Sequence, residues 1–176
     1  MLSLIKDAIV NLEASNEKLK PAELEEGDII ADLHMHSKYS RATSINLNIV
    51  NLVKWARIKG VSLLGTGDAS HDKWLEEIKG SLSERKGIFW YADEVGEFPF
   101  MLTGEISLVF TAGGKGRRVH LVYLVPNLEI NEKINNYLSS KGRRDYDGRP
   151  IFKITCEEFV RVLKEIDEKI EIIPAH

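Results

Sequence analysis

Cysteine is nearly absent from this sequence, with Cys156 the only one. An intramolecular disulfide is therefore impossible and a cysteine-built zinc site is excluded, so any metal must be held by imidazole and carboxylate. Cys156 itself falls inside a helix-capping pattern and reads as structural. Long apolar runs are missing too. Stretches such as Val119 to Val125 and Val61 to Leu64 fall far short of the roughly 20 residues that span a bilayer, so no membrane segment is expected. Met1 to Val10 carries Lys6 and Asp7 inside its apolar pattern and lacks the features of a signal peptide, which predicts a cytoplasmic protein. Internal repeats and low-complexity stretches are also absent. A net charge of −3 does not suggest a nonspecific nucleic-acid binder, though it leaves room for local basic patches.

What is present is the balance of an ordinary soluble domain: 43% of the 176 residues are hydrophobic and 29% charged. A chain of this size can bury roughly 70% of its unfolded surface, enough for one core without staples. Leu2, Ile5, Ile9 and Leu12 repeat at helical spacing, and the polar stretch around Pro21 breaks the pattern, so residues 1–27 read as a helix and linker. Residues 28–176 read as the working domain.

Within it, Asp28 to His36 and Val61 to Thr66 read as strands, and a helix ending at Gly60 lies between them. His71 to Leu82 reads as a helix and Ile88 to Tyr91 as a strand. Phe100 to Thr111 and Arg117 to Val125 form a hairpin through Gly113-Gly114-Lys115-Gly116. Asn131 to Ser140 reads as a helix. Thr155 to Glu158 has the pattern of a capping box opening another, and Glu171 to Pro174 closes as a strand. Strands alternating with helices predict an α/β fold with one antiparallel hairpin. The chain stops at His176 straight after a strand, which is read as a truncation.

The sharpest local feature is Asp32-Leu33-His34-Met35-His36. On a strand, period two would put Asp32, His34 and His36 on one face, the two imidazoles within reach of one cation. Taken alone, the pair reads equally well as two histidines satisfied by hydrogen bonds. Other strands end alike: Asp68 follows Gly65-Thr66-Gly67, Glu105 follows Met101-Leu102-Thr103-Gly104, His120 interrupts an apolar run, and His176 follows Ile172-Ile173-Pro174-Ala175. Each has a plain alternative, with Asp68 a helix cap, Glu105 a solvated strand residue and His120 a hydrogen-bonded core histidine. A lone ionisable group at the end of an apolar strand is costly without a partner, and a shared cation supplies a partner to all of them at once. The expected site is a multi-metal centre with Glu105 as the bridging carboxylate. Its mixed donors suit Zn²⁺, Mn²⁺ or Fe²⁺ better than Mg²⁺. Such a centre hydrolyses phosphoesters.

These residues resemble the polymerase and histidinol phosphatase (PHP) superfamily, whose opening motif is the metal-binding His-x-His seen here as His34-Met35-His36. The resemblance implies a distorted (β/α)₇ barrel, of which this chain would be a part truncated at its C-terminus, with two or three divalent ions (Zn, Mn, Fe or Mg) at the strand ends. It implies His34, His36, Asp68, Glu105, His120 and His176 as ligands, Asp68 standing where the family usually has histidine. Asp32 and His71 would support them from behind. Within the superfamily, the run Asp32-Leu33-His34-Met35-His36-Ser37-Lys38-Tyr39-Ser40-Arg41-Ala42-Thr43-Ser44, then Gly65-Thr66-Gly67-Asp68 and His71, resembles the endonuclease Q family. Those enzymes nick DNA 5′ of uracil, hypoxanthine, xanthine or abasic sites. The family's remaining ligands and strands have no counterpart before His176. A fragment, or half of a split enzyme joined by a chain completing the barrel, is therefore expected, and a replication clamp is a further candidate partner.

For substrate, Arg41 is expected to hold a phosphate and to share the catalytic role with Glu105, with Lys38 adding charge. Lys141 to Arg149, including Arg143, Arg144 and Arg149, reads either as a DNA-backbone contact or as a mobile polar loop; Lys115, Arg117 and Arg118 form a smaller basic cluster with the same two readings. Trp90, Tyr91 and Phe98 are either the lining of a base pocket or core. Three functions stay open: a DNA repair endonuclease for damaged bases, a phosphoesterase for a small metabolite, and a noncatalytic metal-binding fragment.

Overall fold

The computed structural model describes residues 28–175; the helix and linker expected over residues 1–27, and His176, lie outside the described residues. The organising element is β5 (Gly96–Ala112), a 17-residue strand whose residues 102–108 are buried throughout. Its side chains alternate. Leu102, Ile106 and Leu108 enter the core, while Thr103, Glu105 and Ser107 form a buried polar row on the other side.

Parallel strands β1 (Ala31–Asp32) and β2 (Leu63–Gly65) flank the first half of β5 in the order β1-β2-β5. Beside it also lie the antiparallel β4 (Ile88–Asp93) and, beyond that, β3 (Ser83–Arg85). The second half pairs with antiparallel β6 (Lys115–Val125) and with a short parallel β7 (Ile151–Phe152); β8 (Glu171–Ala175) pairs with β6. The β5–β6 turn is the two residues Gly113 and Gly114, with φ of 59° and 72°. Two left-handed residues give the turn twist that matches a hairpin, which is why a glycine pair sits there.

Four helices supply one continuous core: α1 (Ile49–Lys59), α2 (Asp72–Ser81), α3 (Leu128–Lys141) and α4 (Cys156–Ile166). Trp74, Ile78, Ile134, Leu138, Phe159 and Leu163 are fully buried, each contributing about 1.5–3 kcal/mol. Asn48 caps α1, its side chain accepting from the Asn51 N–H, and Gly60 ends it. Thr155 accepts from the Glu158 N–H as the capping pattern predicts, but the Glu158 carboxylate turns to Lys141 at 2.6 Å.

The mixed α/β class is as expected, with the antiparallel hairpin in place. Among the described residues β1, β3, β7 and β8 each have one paired neighbour, so the eight-stranded sheet is open. Along its length β5 pairs with antiparallel β4 and β6 as well as with parallel β2 and β7. The strand expected over Asp28 to His36 is also shorter, ending at Asp32.

Candidate metal centre

Because β1 ends at Asp32, His34 and His36 sit in the loop that follows, and strand alternation is not what aligns them. They converge nevertheless. His34 Nε2 lies 3.1 Å and His36 Nε2 3.0 Å from Glu105 Oε2, and His120 Nδ1 lies 3.1 Å from Glu105 Oε1. His120 reaches across because its residue on β6 pairs with Ser107 while Glu105 pairs with Val122, a diagonal relation on one face. Ligand atoms of His34, His36 and Glu105 all fall within 4.8 Å of one another.

The loop after β2 delivers Asp68. Gly67 and Asp68 both have left-handed backbones, φ 63° and 49°. A Cβ on Gly67 would sit 2.2 Å from the Met35 carbonyl oxygen, so only glycine lets this loop lie against the one carrying the histidines. The Asp68 conformation is uncommon for a non-glycine residue, and the surroundings hold it. Trp74 Nε1 donates to the Thr66 and Gly67 carbonyls, the Gly67 N–H donates to Thr103 Oγ1, and the Asn131 and Asn135 amides donate to the Ala69 carbonyl.

Asp68 is fully buried and its carboxylate is engaged on both oxygens. Oδ1 accepts from His36 Nδ1 at 2.9 Å; Oδ2 accepts from the Ser37 N–H at 2.7 Å, Ser37 Oγ at 2.6 Å and Ser40 Oγ at 3.0 Å. Hydrogen bonds to Asp68 and then to Glu105 push the His36 pKa up to about 9. Burial disfavours the Glu105 carboxylate, yet hydrogen bonds from His36 and His34 and the nearby Arg149 charge bring its pKa down to about 2. Glu105 is 1% exposed and its Oε1 makes no hydrogen bond of proper geometry, with Arg149 Nη1 3.6 Å away. A buried anion with an unsatisfied oxygen, ringed by imidazoles, is a donor set that fits a divalent cation.

The basic segment after α3 is fastened to this centre. Asp147 Oδ1 accepts from the Arg41 and Arg149 N–H groups at 3.3 and 3.2 Å, and its Oδ2 faces Arg41 Nε at 3.4 Å. The Gly148 N–H donates to the Tyr39 carbonyl at 3.0 Å, and a Cβ on Gly148 would stand 2.2 Å from Asp68 Oδ2.

Other expected residues lie apart. Asp32 is exposed. His71 is buried and stacks on Tyr39 with centroids 4.6 Å apart, its pKa lowered by burial. Lys38 pairs with Glu77 at 2.9 Å. Arg144, expected to face nucleic acid, spends its guanidinium on the protein: Nη1 on the Ser70 carbonyl, Nη2 on Asp72 at 2.7 Å and Nε on Ser139 at 2.8 Å. Arg143 is exposed and pairs with Asp145. Phe98 belongs to the core, and Trp90 lies under Arg85; these aromatics are far from the cluster, Phe98 standing seven residues, roughly 23 Å of strand, from Glu105. His176 lies outside the described residues, next to Ala175, which pairs with His120.

Sequence reasoning missed Ser37, Ser40 and Asp147. The two serines could have been found from their place directly after His36, where short hydroxyl side chains often bond nearby groups. Asp147-Gly148 reads in sequence as ordinary loop punctuation.

No family model matches the chain. Over 146 residues it is 32% identical to an uncharacterized protein of Methanocaldococcus jannaschii, a match that covers 82% of this chain and 16% of the relative. In structure it is similar to the lesion-specific endonuclease PfuEndoQ from Pyrococcus furiosus, with TM-score 0.71, 27% identity, 84% of this chain covered and 34% of that one. It is likewise similar to endonuclease Q in complex with a 27-mer duplex substrate carrying an abasic lesion at the active site, with TM-score 0.71, 30% identity and coverages of 83% and 34%. The chain thus spans about a third of the endonuclease Q chains. Among the described residues no helix is long and apolar enough to cross a membrane.

Proposed function

We propose that this chain carries part of the catalytic centre of a metal-dependent DNA repair endonuclease of the PHP type, nicking 5′ of deaminated bases or abasic sites. The observation that carries the reading is the convergence of three histidines on the two oxygens of Glu105, within a fold similar to endonuclease Q. His34, His36, His120 and Glu105 would hold the divalent cations, with Glu105 the carboxylate expected to be shared between them. Divalent cations held there would supply Lewis-acid charge to a phosphoryl group and activate water.

The chain's own residues do the rest. Asp68 Oδ1 accepts from His36 Nδ1, which would leave Nε2 free to face a cation, the part a carboxylate plays behind a ligating histidine; Asp68 would serve there in preference to being a ligand. Ser37 and Ser40 fix Asp68 in turn. Arg149 beside Glu105, and Arg41 at the rim, would take non-bridging oxygens of the phosphodiester.

The test is incubation with Mn²⁺ or Zn²⁺ and a labelled duplex containing deoxyuridine, deoxyinosine or an abasic site. Nicking on the 5′ side is expected. Release of phosphate from small phosphomonoesters with no nicking would favour the metabolite enzyme, and bound metal with neither activity the noncatalytic fragment. His34→Ala and Glu105→Ala are expected to lose bound metal by elemental analysis; unchanged stoichiometry would sink the ligand assignment.

A further inference from the structure

The loop joining α3 to β7 reaches the metal cluster through one buried carboxylate. Asp147 is 7% exposed although it lies in a stretch with arginine at positions 143, 144 and 149. Its three contacts all run to Arg41 or Arg149: Oδ1 takes both backbone N–H groups, and Oδ2 faces Arg41 Nε. A carboxylate that binds two backbone donors and one guanidinium edge does two things at once. It locks the loop after His36 to the loop before β7, and it orients the Arg41 fork while leaving its outer nitrogens turned outward, the side chain being 74% exposed. Arg149, two residues on, is aimed inward, with Nη1 3.6 Å from Glu105 Oε1. The spacing is held from beneath by Gly148, packed against the carboxylate of Asp68 and the hydroxyl of Ser40. One guanidinium therefore faces the cluster and the other the solvent at its rim; Asp147 holds Arg41 by its backbone and its side chain, and Arg149 by its backbone N–H.

We infer that Asp147 is the positioning residue of a two-arginine phosphate clamp, setting Arg41 and Arg149 to hold a tetrahedral phosphate group over the Glu105 cluster. The inference rests on reading that cluster as a phosphoesterase centre. Asp147 touches neither metal nor substrate and acts through the arginines. A bidentate guanidinium whose orientation is paid for in advance binds phosphate more tightly than one that must be ordered on binding.

Calorimetric titration of the whole chain with inorganic phosphate, with and without Mn²⁺, tests it. Arg41→Ala and Asp147→Ala are each expected to weaken phosphate binding about tenfold, the scale of one charge-assisted contact. The double variant is expected to lose less than the sum of the two single losses, because part of the Asp147 effect runs through Arg41. Asp147→Asn keeps an acceptor for both N–H groups and removes the charge facing Arg41. It should melt like the parent yet lose several-fold in phosphate affinity, which a purely structural role would not produce. Mn²⁺ stoichiometry should stay unchanged in every Asp147 variant. The clamp is overturned if Asp147→Asn, folded, keeps phosphate affinity within twofold of the parent, if the Arg41 and Asp147 losses simply add, or if the parent does not bind phosphate. Failure to bind Mn²⁺ with phosphate binding and coupling intact would instead sink the metal reading and leave the clamp standing.

Discussion

Two basic segments read alike in sequence and end in opposite circumstances. Lys115, Arg117 and Arg118 flank the β5–β6 turn; among the described residues 111–118 are all exposed, and these three cations make no ion pair. Lys141 to Arg149 carries similar chemistry, yet Arg144 is bound to the Ser70 carbonyl and Asp147, Gly148 and Arg149 are fitted against the candidate metal centre. The difference is not charge. The hairpin tip has no acid within it and projects past the sheet, whereas the second segment contains Asp147 and Gly148, one able to satisfy backbone donors and the other small enough to touch Asp68. A run of arginines becomes part of a site when something beside it can be buried.

That contrast can be broken most forcefully at Gly148. Gly148→Ala places a methyl 2.2 Å from a buried carboxylate oxygen, and the loop must shift to admit it. A loss on the order of 3 kcal/mol in denaturant unfolding is expected. A variant as stable as the parent would show that this loop is no more tightly fitted than the hairpin tip.

The next effect is in pH, and it should arise from the centre alone. In metal-free protein the His36 pKa is raised from 6.5 to about 9, so its stabilising contribution is complete below pH 6.5 and is lost as pH rises through 9. Glu105 is lowered from 4.5 to about 2, so its contribution is complete above pH 4.5 and is lost as pH falls through 2. Between pH 4.5 and 6.5 both are in force. Melting in chelator should therefore show stability falling between pH 6.5 and 9, by on the order of 2 kcal/mol, and His36→Gln should flatten that slope. A slope unchanged in His36→Gln would place its source elsewhere.

The smallest effect is expected at the hairpin. Arg117→Ala and Arg118→Ala should each change stability by less than about 0.5 kcal/mol and leave phosphate binding as it was. A loss comparable to that of Arg41→Ala would erase the distinction between the two segments.

Much of the centre is legible in sequence because single ionisable residues interrupt apolar strands. Glu105 and His120 stand out against the buried runs of β5 and β6, and the strand period that makes a run readable also sends them to one face. The His34 and His36 pair was legible for a different reason than the one that aligns it, since the strand ends before them. Asp147 was not legible at all. Its role depends on Arg41, 106 residues away, and no local pattern records such a contact.

By itself, then, the sequence determined the α/β class, the hairpin and its glycine turn, the absence of thiol ligands and the identity of the imidazoles and carboxylates, because propensity, periodicity and donor chemistry are local properties. Only the tertiary structure decided how the strands pair around β5 and that Asp68 gives both oxygens to His36 and two serines. It also decided which of two basic segments adjoins the cluster. Those outcomes depend on which buried groups find partners, and the partners come from distant parts of the chain.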